Sequence, residues 1–61
     1  MSDFISNLNS YAGQKLLIKV ENEEPMCYQL DKVQSDCITV SVGNVTKIVP
    51  IGKIEYIQTS V

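Results

Sequence analysis

Five lysines, seven acidic residues and two cysteines are the reactive groups of this 61-residue chain, which has no histidine and no arginine. Without histidine, neither a serine nor a cysteine nucleophile has its usual general base, so a non-enzymatic protein is expected. Cys27 and Cys37 are too few for the four-ligand patterns that hold zinc, and no cofactor is expected. The acid run Glu21, Glu23, Glu24 has the chemistry of a hard-cation loop but not its build. Such loops place several oxygens at fixed spacing around a glycine turn, whereas Pro25 stiffens this one, and it reads as a solvated turn. Gly43-Asn44 lacks the further glycines and the lysine of a phosphate loop and reads as a hairpin turn. Lys47 and Lys53 flank the last turn. They are the candidates for contacting an anion, the alternative being surface lysines that keep an edge strand soluble.

The formal net charge is −2. Affinity for nucleic acid comes largely from basic side chains that displace counterions from phosphate, so this balance argues against a strong, sequence-independent grip on RNA or DNA. A ring of identical subunits would still concentrate a few lysines on one face. The apolar runs are too short for a membrane span or a signal peptide, and the expected setting is the cytoplasm. In a reducing compartment, Cys27 and Cys37 are expected as two separate thiols.

The elements that must position these groups follow from the apolar spacing. Phe4, Ile5, Leu8 and Tyr11/Ala12 recur at helical intervals, which predicts a short helix over 2–12, capped by Ser2 or Asp3 and ended by Gly13. From Lys15 the period becomes two. Leu16, Ile18 and Val20 predict a first strand with one buried face, and Leu17 adds an apolar group to the other. After the turn at 21–25, Met26, Tyr28 and Leu30 are expected inward, with Cys27, Gln29 and Asp31 outward. Val33 is out of phase with that set, which predicts a bulge or sharp bend near Asp31-Lys32. A turn at 34–36 leads to a third strand burying Ile38, Val40 and Val42. In that hairpin Cys27 falls level with Gly43, far from Cys37. A fourth strand runs from Val45 to about Val49, a turn spans 50–53, and a fifth strand covers Ile54 to Gln58. One short helix and five short strands in a single domain, 1–61, predict a mostly β, strongly bent antiparallel small barrel.

This layout resembles the Sm-like fold of Sm, LSm and Hfq proteins over nearly the whole chain. The most specific stretch is Ile48-Val49-Pro50-Ile51-Gly52-Lys53-Ile54-Glu55-Tyr56-Ile57, which is similar to that family's fourth strand, compact turn and fifth strand. The resemblance implies that the fourth strand of one subunit pairs with the fifth of the next, giving a cyclic homo-oligomer of roughly five to seven copies. Leu17, Ile48, Val49, Ile54 and Ile57 are then the expected interface residues. It also implies an RNA site at the turns, onto which Asp36, Gly52 and Lys53 fall. The family's RNA-contacting signatures are largely missing: Gly52 alone matches the arginine-glycine pair in kind, and no aromatic side chain stands there to stack a base. Two functions therefore stand side by side: an Sm-like ring with weak RNA binding through the last turn, and a protein-interaction or structural small barrel with no nucleic-acid role.

Overall fold

A computed structural model describes residues 3–59, in the order α1 (Asp3–Asn9), β1 (Lys15–Val20), β2 (Met26–Val33), β3 (Cys37–Val42), β4 (Val45–Pro50), a 3-10 turn at Ile51–Lys53, and β5 (Ile54–Thr59). The five strands form one antiparallel sheet in the order β4-β3-β2-β1-β5. β4 and β5 are therefore its two edges, and they do not pair with each other. No β4–β5 ladder closes a barrel.

Helix α1 is shorter than its apolar spacing predicts. The N–H groups of Ser10, Tyr11 and Ala12 donate three residues back, to the carbonyls of Asn7, Leu8 and Asn9, and the Ser10 hydroxyl also donates to Asn7 O at 2.6 Å. These tightened turns end the helix. Gly13, at φ 89°, then swings the chain into the sheet and donates to Leu30 O at 2.6 Å. The predicted cap at Ser2 or Asp3 and the side chains of Phe4 and Ile5 lie outside what is described.

Strand parity follows the expected alternation closely. Leu16, Ile18, Tyr28, Leu30, Ile38 and Val40 are buried on one face, joined by Leu8 from α1, Val20 and Val49. Fully burying a residue such as Ile18 or Leu30 contributes roughly 1.5–3 kcal/mol. Half-buried Ile54 and Ile57 from β5 pack on the same cluster as Val49 from β4. Opposite edges of the sheet thus share one core, which requires the sheet to curl.

Two irregularities produce that curl. Leu30 pairs with Val40 and Lys32 with Thr39, leaving Asp31 as an extra residue in β2, a bulge where the phase of Val33 predicts a bulge or sharp bend. A second bulge lies between β1 and β5: Lys19 pairs with Tyr56 but Val20 with Ile54, so Glu55 is the extra residue. The β3–β4 hairpin turns on Gly43-Asn44, with Gly43 at φ 58° and Asn44 at ordinary negative φ, the type II′ pattern that suits twisted strands. One inward assignment is corrected. Met26 is 48% exposed, because it opens β2 directly after an exposed turn and lies beyond the end of the core, although it pairs with Ile18. Alternation fixes which side a residue faces and leaves its depth to the neighbours.

Candidate functional site

The curl leaves a seam between β4 and the end of the sheet where β1 and β5 meet. Lys47 spans it. Its Nζ donates to Glu23 Oε1 at 3.0 Å and to Tyr28 Oη at 3.3 Å, and lies 5.4 Å from the Tyr28 ring centroid. Glu23, and after it the Tyr28 hydroxyl, raise the Lys47 pKa by favouring the ammonium form. Lys53 makes a second bridge to the same turn, with Nζ 3.1 Å from Glu21 Oε1, and its carbonyl accepts from Glu21 N–H at 2.8 Å. Between these bridges is a cleft of about 300 Å³, lined among others by Val20, Asn22, Ile48 and Pro50. Asn22, at φ 65°, sets the tight turn that presents Glu21 and Glu23 to the two lysines.

The two lysines picked out as anion contacts are thus already neutralised, each by one glutamate of the β1–β2 turn. That turn, read from sequence as merely solvated, supplies both partners. Among the described residues no group of three histidine, cysteine or acidic side chains could hold a metal ion. No helix among the described residues is long and apolar enough to cross a membrane.

The three residues assigned to RNA lie on two neighbouring turns. Ile51 N–H donates to Asp36 O at 2.9 Å, tying the 3-10 turn to the β2–β3 turn. Asp36, Gly52 and Lys53 are exposed. A side chain at Gly52 would meet nothing within 4 Å, so no close approach demands glycine there.

The interface residues divide by face. Ile48 is 70% exposed on the outer face of β4. Leu17, half-buried, lies on the outer face between Cys27 on β2 and Gln58 on β5. Ile54 and Ile57 are half-buried against the core along the β5 edge. Val49 is 4% exposed, its side chain belongs to the core, and it pairs with Ile38 on β3.

Val45 and Tyr56, outside the expected set of interface residues, are also exposed on the edge strands. A signal for Tyr56 was present: Ile54 and Ile57 are three apart, a spacing that two core-facing residues of one strand can have only across a bulge. Both cysteines are free, and the pairing of Gln29 with Ser41, carried two residues on, sets Cys27 level with Gly43 as expected. No protein-family model, no curated protein and no solved structure matches this chain.

Proposed function

We propose that this chain is a non-enzymatic small barrel of the Sm-like kind whose function is assembly, edge to edge with copies of itself, into a closed ring of roughly five to seven subunits. The observation that carries this reading is that β4 and β5 are the two unpaired edges of a curled sheet and bear exposed Val45, Ile48 and Tyr56. An open edge with apolar side chains seeks a partner strand unless it is blunted. Here Lys47, the charge best placed to blunt β4, is drawn back across the seam by Glu23. Energetics point the same way. A chain of this size buries a small core relative to the entropy of ordering its backbone, and neither a disulfide nor a metal cluster among the described residues adds to it. Different edges meeting head to tail close into a ring when the rotation allows.

Sedimentation analysis at tens of micromolar tests the reading. One species of several subunits is expected, and a stable monomer overturns it.

A second reading, weak RNA contact, is favoured by the Ile51–Asp36 bond, which gathers Asp36, Gly52 and Lys53 at one end of the sheet. In a ring these turns would repeat around a common opening. The pairing of Lys53 with Glu21 and the net acidic balance favour assembly without RNA. Titration with single-stranded RNA at low and physiological salt separates them. Binding that disappears in Lys53→Ala supports the RNA role, and no binding at either salt leaves assembly alone.

A further inference from the structure

We infer that Glu23 and Lys19 are positioning residues for assembly. Each holds the one charged side chain of an edge strand back on its own subunit, which leaves that edge free to pair. This rests on the assembly reading above and adds the residues that permit it.

Each edge strand carries a single charge. Within Val45–Pro50 only Lys47 is charged, and within Ile54–Thr59 only Glu55. A charge on an open edge is a common guard against pairing, because an incoming strand must strip its water. Whether either edge is guarded therefore depends on where one side chain is held.

Both are held inward. On β4, the Lys47 ammonium donates to the Glu23 carboxylate and the Tyr28 hydroxyl and lies against the Tyr28 ring. Tyr28 is buried, and Glu23 N–H donates to Val20 O at 3.0 Å, so both partners are fixed to the body of the subunit. On β5, Glu55 Oε1 lies 3.4 Å from Lys19 Nζ, which also donates to Val20 O at 3.1 Å. Each edge charge is thus cancelled within one chain, and an incoming strand has no counterion to supply.

Neither pairing comes from regular backbone. Lys19 is opposite Tyr56, so in an unbroken strand Glu55 would face the other side of the sheet; the bulge turns it back toward Lys19. Asn22, at φ 65°, likewise turns Glu23 toward Lys47. Two separate backbone irregularities therefore have the same result, one at each edge.

Sedimentation of charge-removing variants at tens of micromolar tests this, with circular dichroism to confirm that each variant is folded. Glu23→Gln strands the Lys47 charge and should weaken association about fivefold, the most an exposed pair carries. Adding Lys47→Gln to that chain removes the stranded charge and should restore wild-type assembly. Lys19→Gln, and its combination with Glu55→Gln, should repeat the pattern on β5. Lys47→Gln alone should assemble at least as tightly as wild type, a check that stands even if Glu23→Gln fails to fold. Double variants as weak as the single ones would show that the bridges act only by supporting the subunit, and would overturn the inference. Tighter assembly of Glu23→Gln would overturn it too, by showing that the bridge blocks the edge. If Glu23→Gln and Lys19→Gln both assemble like the wild type, the inference fails and the assembly stands. A monomeric wild type overturns both.

Discussion

The interior strands and the edge strands of this sheet follow the same alternating rule with different results. Along the middle of β1, β2 and β3 the apolar alternation is completed by neighbours on both sides, and Ile18, Leu30, Ile38 and Val40 lose all contact with water. In β4 and β5 each strand has one neighbour, and Val45, Ile48 and Tyr56 remain exposed beside Val49, Ile54 and Ile57, which do not. The difference teaches that apolar residues on these edges exceed what one chain's core can absorb. The surplus is concentrated at the two places where main-chain hydrogen bonds are also unfilled.

The largest effect that sharpens this contrast is in the interior. Leu30→Ala removes a fully buried side chain touching the centre of the core and should cost about 2–5 kcal/mol in denaturant unfolding. A cost near zero would mean that the core is not where the stability resides. At the edge, Ile48→Asp should abolish assembly, weakening association by at least about 2 kcal/mol. It should leave the isolated subunit's circular dichroism spectrum unchanged, because Ile48 contributes little to its own core. Loss of the folded spectrum in dilute solution would show that Ile48 supports the subunit itself.

A smaller effect belongs to the turn that sets β4's parity. Gly43→Ala places a side chain at φ 58° and should cost about 1 kcal/mol through backbone strain alone, since a Cβ there has open space around it. The smallest concerns the seam. Glu23→Gln removes the main partner of Lys47, and solvent screening keeps the loss below about 1 kcal/mol. Its pH dependence has a definite sign. The Lys47 pKa is raised in the folded chain, so the bridge's contribution is complete below the ordinary lysine value and is lost as pH rises through the folded one. The stability difference between wild type and Glu23→Gln should therefore narrow at strongly alkaline pH and stay constant near neutrality.

Much of the framework was legible in the residues. The change of period at Lys15, the out-of-phase Val33 and the Gly43-Asn44 pair located the strands, the first bulge and the hairpin. These are local signals, carried within a few residues. What was not legible is non-local. Nothing in the sequence of β1 says that its second neighbour is β5, so the open seam in the bent sheet could not be read. The partnership of Glu21 and Glu23 with Lys53 and Lys47 joins residues more than twenty positions apart and exists only because the sheet curls. Met26 failed for the opposite reason: its side was right, but the core ends before it. Val49, expected as an edge contact, is buried in the chain's own core, because alternation along β4 sets it on the inner face with Val45. Ile48 alone of that adjacent pair turns outward.

The central claim is that the open edges of β4 and β5 are covered in solution, and amide hydrogen exchange followed residue by residue measures that coverage directly. By alternation from the Val42–Val45 pair across the hairpin turn and from the Lys19–Tyr56 and Leu17–Gln58 pairs, the N–H groups of Ile48 and Ile57 point away from their own sheet. At concentrations where the protein assembles they should be strongly protected, and in dilute Ile48→Asp the Ile57 amide should exchange at the rate of an open chain. Fast exchange at both positions in the concentrated wild-type protein would show bare edges and contradict the account.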